Sequence, residues 1–383
     1  MFLQKTNIDE IKIYDSSLSQ FNISDNCIVN TVNCNSPKLK SFVIRDSKVK
    51  KNLTFSKELP DSVFIGDGEY NKVELQNTRD IKSFHISGLK KYKEYDENKE
   101  LGEQTSHLPI NDNIPLCDGL IIDEFKCFAL NNTGDLFVEM ATIKKLEFER
   151  FINKGDCSFI NVDFIEEVSI IKSNIEKCLF NDISFLGVKL AFDHSFIDGA
   201  IFSNIIWPLN YQIESKETGN NELLHRIKRE SYRQLKNNSK NNSNNIDAIK
   251  FYRNEMDEYW EYSKLNSTDG WSNRLLVWVN KWSSDFGQRY WWPLAWLFSF
   301  HLFFFIVLFF TKYNFEFQFN PDLSCTSESF KLAIGEFLRL LNPAHKMAPE
   351  MKGLYIFIDM FMRISAGFFI YQFIRATRKF ARL

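Results

Sequence analysis

From Pro293 to Thr311 the chain runs for 19 residues with only Ser299 and His301 as polar interruptions. A helix of that length rises about 28 Å, close to the ~30 Å hydrocarbon core of a bilayer. A core helix of a soluble domain keeps a polar face, and this stretch has none. Pro293 suits a first helical turn, where its missing N–H costs nothing. Six of the eight Trp fall between Trp271 and Trp296, and an amphipathic ring is best satisfied at headgroup depth. The pattern predicts a first membrane span over 293–311.

Just upstream, "WSNRLLVWVNKWSS" places Trp271, Leu275, Trp278, Val279 and Trp282 on one helical face. Such a helix either lies flat in the interface or packs on the protein itself. With Trp291 and Trp292, the residues Trp271, Trp278 and Trp282 are the candidate interface anchors. A second span is expected over 353–374. It is long enough, yet it carries Asp359 and Arg363 at i and i+4, where the two can pair. Each would cost about 2.5–3.5 kcal/mol at mid-bilayer. Arg375, Arg378, Lys379 and Arg382 follow, which places the C-terminus on the cytoplasmic side. Between the spans, 312–352 forms an external loop. Within it Phe330, Ile334, Phe337, Leu338 and Leu341 make a helical stripe, so 327–341 is either a re-entrant helix or a surface helix.

The average composition hides this region. A net charge of -2, 25% charged residues and a mean hydropathy of -0.28 describe an ordinary soluble chain. The polar, Asn-rich part is 1–270. "MFLQKTNIDE" lacks an apolar stretch of signal-peptide length, so this part is expected in the cytoplasm. The seven cysteines show neither CxxC nor zinc spacing, which predicts reduced, mostly buried thiols.

Short apolar-polar-apolar triplets recur about every ten residues: "IKI" at Ile11, "FNI" at Phe21, "FVI" at Phe42, "LTF" at Leu53, "VFI" at Val63, "VEL" at Val73 and "FHI" at Phe84. Strands at this interval, separated by turn residues, suggest a sandwich or a β-solenoid. Residues 119–206 continue the habit with more Phe. The five-residue steps Phe159 to Phe164 and Phe180 to Phe185 favour a coil with one inward residue per side. This pattern resembles a degenerate pentapeptide-repeat β-helix. Residues 87–118 read as an inserted loop.

After Trp207-Pro208 the periodicity turns helical. Two helices are expected in a coupling region over 211–270, separated by "NNSKNNSNN" (237–245), which reads as a mobile linker. The first helix carries Arg226, Lys228, Arg229, Arg233, Lys236 and Lys240 against Glu222 and Glu230, with Arg226, Arg229 and Arg233 on one face. Arg226, Lys228, Arg229, Arg233 and Lys236 are candidate contacts for an anionic ligand, a nucleotide or a nucleic-acid strand. Anionic lipid headgroups or a plain solvated face are the alternatives. Within the spans, His301, Asp359, Arg363 and Gln372 are candidate pore-lining residues if several copies gather around an axis. A structural ion pair holding the spans together is the alternative. No nucleophile, metal-ligand or phosphate-loop motif is present. His194 in "DHSF" reads as a turn residue, and neither an enzyme nor a cofactor is expected.

"ESYRQLK", "AIKFYRNEM", "NKWSSDFGQRYWWPL" and "FIYQFIRATRKFARL", in this order, resemble a group of bacterial membrane proteins over residues 120–383. Those join a pentapeptide-like β-helix to two C-terminal spans, and some are channel-like effectors of anti-phage defence, the Hailong type among them. The resemblance implies a homotetrameric channel in the inner membrane with both termini cytoplasmic. It also implies a partner nucleotidyltransferase whose short single-stranded DNA or nucleotide product keeps the channel closed. No potassium-filter sequence is present. The expected fold class is a mixed β/α membrane protein: a cytoplasmic β-solenoid over 1–210, helices over 211–270, and an interfacial helix plus two spans over 271–383. The competing expectation is a membrane-anchored solenoid scaffold that recruits a protein and conducts nothing.

Overall fold

The computed structural model describes residues 1–14, 18–36, 38–57, 59–76, 81–88, 119–266, 270–312, 334–335, 337–344 and 354–381. The chain divides into two compact units, Met1–Tyr262 and Ser263–Leu383.

The first unit is a parallel β-solenoid of about eight turns. Its strands form two sheets, one of ten and one of eight strands, and successive turns supply neighbouring strands to each. A turn takes 21 or 22 residues, as the hydrogen bonds Asn30 to Asp9 and Phe151 to Ser173 record. The ten-residue triplets are therefore half-turns. The strand register aligns Ile11, Val32, Leu53, Val73, Phe125, Leu146, Val168 and Leu190 in one column of the eight-stranded sheet. Ile23, Ile44, Ile65, Ile86, Val138, Phe159, Phe180 and Phe202 align in the other sheet. Phe202 is half-buried; every other member of both columns is buried. Stacking like on like removes each side chain from water with its neighbours above and below, at roughly 1.5–3 kcal/mol per large apolar residue.

In the last turns the inward positions step by five, through Ile175, Phe180, Phe185 and Leu190. Rings at equivalent steps stack: Phe159 on Phe180 at 5.2 Å and Phe164 on Phe185 at 5.8 Å. The insert leaves the register intact. Ser87 bonds Glu139 across a step of 52 residues where other turns need 21, and residues 89–118 lie outside the described part.

Two corners of the coil are left-handed turn after turn. Ala129, Arg150, Lys172 and His194 form one series, with φ from 49 to 55°; Met140, Asn161, Asp182 and Asn204 form the other. A side chain in this region costs about 1 kcal/mol or more. At Ala129, Met140, Arg150, Asn161 and Lys172 the compensation is a backbone bond to the next turn, such as Ala129 N–H to Glu149 O and Lys172 N–H to Asp193 O. His194 is thus a corner residue, in line with its reading as a turn.

The C-terminal end of the solenoid is closed by α1 (Asn221–Asn241) and α2 (Asn245–Leu265). Tyr232, Leu235 and Phe251 join the solenoid core. Trp207 meets the Phe251 ring edge-on at 5.0 Å, and its indole N–H donates to Asp247. The expectation of a mobile linker over 237–245 is corrected here. Helix α1 runs through Asn241, and Asn238 is buried with its amide donating to the carbonyls of Ile197, Asp198 and Ala200. These carbonyls lie in the last turn of the coil, and the Asn-rich helix end supplies them with a side-chain donor. Helix α1, and α2 as far as Tyr262, cluster with the solenoid in the first unit.

The second unit contains α3 (Trp271–Ser284), α4 (Trp291–Lys312) and α5 (Leu354–Ala381). Helix α3 ends in a left-handed turn at Asp285 and Phe286, whose N–H groups bond back to Lys281 and Asn280. Helices α4 and α5 pack through Leu297, Ala366 and Phe369. Within α5, Ile356–Arg378 is long and apolar enough to cross a membrane, at a mean hydropathy of 1.3; in α4 the apolar stretch Trp291–Val307 is shorter. One such helix, rather than two, is what the described residues show. Of the loop stripe, Phe330 lies outside the described residues. Ile334 and Leu338 are exposed, Phe337 and Leu341 are half-buried, with Leu341 on the α4–α5 core, and Leu340 is buried against Met362. Most of 312–352 lies outside the described part.

Candidate functional site: a cationic cavity and a buried polar set

Asn220 caps α1 by accepting from the Leu223 N–H at 3.1 Å. One side of the helix then docks on the last solenoid turn. Ser231 Oγ donates to Phe192 O, while Gln234 accepts from Ile197 N–H and donates to Ser195 O. This docking leaves Arg226, Arg229 and Arg233 lining a cavity of about 450 Å³, whose opposite wall is Phe192, His194, Ser195 and Phe196. Arg233 donates to Glu230 at 2.7 Å, and Gln234 donates to the same carboxylate oxygen. The Arg229 guanidinium lies 4.3 Å from the Tyr259 ring centre, which leaves its charge unneutralised. Among the described residues no carboxylate pairs with Arg226.

The five expected anion contacts therefore divide. Arg226, Arg229 and Arg233 meet at the cavity. Lys236 is bound to Glu255 at 2.7 Å, tying α1 to α2. Lys228 lines a different cavity, with Glu214, Glu258 and Tyr232. Steps of three and four keep 226, 229 and 233 on one face; Lys236, seven positions from Arg229, shares its side of the helix and is drawn off by Glu255 of α2. Phe196 was not singled out in the sequence, though a signal exists there. The five-residue inward step passes through Ser195 and Ala200, so Phe196 is out of phase, and it is 69% exposed.

The eight-stranded sheet makes a poor rival surface. Its outward column reads Lys72, Glu124, Lys145, Glu167, Lys189 in register. Neighbours of opposite sign neutralise one another, as in Lys72 to Glu124 at 3.4 Å and Lys126 to Glu147 at 3.0 Å.

In the second unit the polar set sits inside a single chain. His301 and Asp359 are 0% exposed and Gln372 is 2%. Asp359 accepts from Arg363 Nε at 2.8 Å, the expected i,i+4 pair. The Gln372 amide donates to Asn280 Oδ1 at 3.0 Å and accepts from Ser284 Oγ at 3.2 Å, joining α5 to the end of α3. His301 Nδ1 lies 3.1 Å from Leu297 O on its own helix. Gln372 is 13 positions beyond Asp359, about 20 Å along the axis, so the four do not form one cluster. Within one chain, of the four only Arg363, with 27% of its side chain exposed, reaches the surface.

The anchors behave differently. Trp271, Trp278, Trp291 and Trp292 are exposed. Trp282 is half-buried and stacked between Trp278 at 5.9 Å and Trp296 at 3.7 Å. Leu276, 62% exposed, belongs with them and was missed. Five cysteines, Cys27, Cys34, Cys127, Cys157 and Cys178, are free and buried; Cys117 and Cys325 lie outside the described residues. Among the described residues no group of His, Cys, Asp and Glu is placed to hold a metal. No protein-family model matches this chain, and neither a curated protein nor a solved structure matches it.

Proposed function

We propose that this protein is a channel-like effector of the bacterial inner membrane, of the anti-phage type its motifs resemble. In this reading copies of the helical unit assemble in the bilayer with both termini cytoplasmic. The solenoid unit senses an anionic ligand that controls them, and the solenoid itself is of degenerate pentapeptide-like type. The observation that carries the reading is the reversed distribution of polarity in the second unit. Trp271, Leu276, Trp291, Phe303, Phe357 and Ile364 are exposed, while His301, Asp359 and Gln372 are buried. Exposed rings and aliphatic chains on this scale fit a lipid solvent. A bare anchor needs no ionisable pair in its span, and each member costs about 2.5–3.5 kcal/mol to insert. Retention of Asp359 and Arg363 supports a working rather than a merely tethering helix. Here Gln372 ties α5 to the end of α3 within one subunit, and exposed helix faces meet in the assembly.

A membrane-anchored scaffold that recruits a protein is the second reading. It is favoured by one observation, that Asp359, His301 and Gln372 are engaged within one chain. Ion flux through liposomes holding the purified protein separates the two. Flux that Asp359→Ala alters supports the channel. Absence of flux, with insertion shown by protease protection, sinks it and leaves the scaffold.

A further inference from the structure

The two sheets of the solenoid present unlike faces to the outside. On the eight-stranded sheet the outward column is charged and neutralises itself, as Lys72 does with Glu124. On the ten-stranded sheet the central outward column runs in register from Phe2 to Ile201 and holds no Lys, Arg, Asp or Glu. Phe2 is 69% exposed, Ile201 48% and Phe64 37%. An apolar column of this length in water gains from being covered. Its order is also palindromic about the gap between the strands of Phe64 and His85. Stepping away from that gap on both sides, the residues match as Phe64 with His85, Val43 with Phe137, Asn22 with Ser158, and Phe2 with Leu179. Apolar answers apolar and polar answers polar. In the column beside it, the exposed Arg45 and the carboxylate of Glu139 stand at matching steps. Ser158 is only 5% exposed on this face, and its hydroxyl finds no hydrogen-bond partner among the described residues.

We infer that this face is a contact between two copies of the chain, packed sheet on sheet about a two-fold axis that runs along the strands between Phe64 and His85. The axis turns one coil end for end, so each residue meets its match in the second copy. Val43 lies over Phe137 of the second copy, and Phe2 over its Leu179. Asn22 of the second copy brings an amide donor to the Ser158 hydroxyl, and its Arg45 brings a guanidinium to Glu139. A two-fold axis along the coil instead would set Asp135 against Glu139, like charge on like. Four strands on each side of the axis, about 4.8 Å apart and about 15 Å long, give a footprint of roughly 600 Å². Interdigitating side chains bury more than their footprint, which brings the contact to the ~800 Å² per partner of a standard interface. The contact lies between solenoid units, and it goes beyond the channel reading without depending on it.

The test is cross-linking of the full chain in detergent micelles by a short bismaleimide. Cys117 and Cys325 are replaced by Ser, and the buried native thiols stay out of reach. Within one chain Val43→Cys and Phe137→Cys stand three strand spacings apart, about 14 Å, too far for the linker. The double variant is expected to give a cross-linked dimer, about tenfold more of it than either single variant, whose two thiols lie about 14 Å apart across the axis. Phe64→Asp abolishes the dimer. Arg45→Glu lowers it severalfold, and Arg45→Glu/Glu139→Arg restores it, a recovery that misfolding cannot produce. Lys145→Glu, on the other sheet, leaves it unchanged. Four results overturn the inference: no dimer from the double variant; single variants that cross-link as well as the double, which would place the axis along the coil; no recovery by the charge swap; or thiols shielded from a monomaleimide in a chain that sediments as a monomer, which would put a segment of the same chain over the face. A dimer without liposome flux keeps this contact and leaves the scaffold reading. Flux without the dimer removes the contact and keeps the channel.

Discussion

The two units of this chain solve opposite solvent problems. In the solenoid, Phe55, Phe125, Phe148 and Phe159 are buried, and Lys, Glu and Asn face out. In the helical unit, Phe303 is 62% exposed and Phe357 59%, while Asp359 and His301 have no exposure. The same residue type, Phe, thus fills a dry core in one unit and covers the outside of the other. In the proposed reading, what differs is the medium each surface meets. Water drives rings inward through the hydrophobic effect, whereas hydrocarbon gives them no reason to leave the surface and drives polar groups to find partners inside.

This contrast can be broken or sharpened by substitution, and the largest effect is expected in the solenoid core. Phe148→Ala removes a ring that meets Phe125, Phe151 and Phe159 at 6.4, 4.5 and 5.9 Å. It should cost about 3–5 kcal/mol in chemical denaturation followed by circular dichroism. Phe303→Ala should barely move the same curve in detergent. Equal losses at the two positions would mean that the second unit has a water-facing surface.

Next in size is the buried pair. Asp359→Leu leaves Arg363 without its carboxylate and should destabilise the unit by about 3 kcal/mol, read as a lowered Tm in micelles. The double variant Asp359→Leu/Arg363→Leu should recover most of that loss. Failure to recover would show that the pair does more than satisfy itself. Asn238→Ala, which removes the side-chain donor to the Asp198 and Ala200 carbonyls and one of two donors to Ile197 O, should cost about 1–3 kcal/mol.

The buried thiols give a smaller, pH-dependent effect. Burial pushes Cys34 from an ordinary value of 9.0 up to about 12, and Cys127 and Cys178 well above it. The folded chain therefore keeps these protons after the unfolded chain has lost them. Their contribution is fully present below pH 9. It declines as pH rises toward 12, by up to about 1.4 kcal/mol per unit for each thiol. A maleimide should label them only on unfolding, in a chain with Cys117 and Cys325 replaced by Ser. Labelling of the native chain would contradict their burial. The smallest effect belongs to the charge column. Lys145→Glu, set between Glu124 and Glu167 in register and beside Glu166, should cost below about 1 kcal/mol, and less in high salt.

The solenoid was legible because a β-coil repeats one packing problem in each turn, and the triplets record every solution. One half-turn escaped notice. "VNC" at Val32 to Cys34 occupies a strand between the "FNI" and "FVI" triplets, and Cys34 is 1% exposed there. Cysteine read as a thiol hides its use as a small apolar side chain. The capping role of α1 was not legible, because "NNSKNN" has the composition of a linker. Only the carbonyls of Ile197, Asp198 and Ala200 reveal why Asn is wanted at 238.

By itself the sequence determined the period of the coil, the apolar character of the C-terminal helices, the i,i+4 pairing of Asp359 with Arg363, and the shared face of Arg226, Arg229 and Arg233. These are local regularities, written in spacing. The tertiary structure alone decided which cations keep a free charge, since that depends on carboxylates such as Glu255, 19 positions from Lys236. It alone also decided that Ala129, Met140 and Arg150 take left-handed corners. Nothing in those side chains asks for that conformation. The hydrogen bond offered by the next turn imposes it.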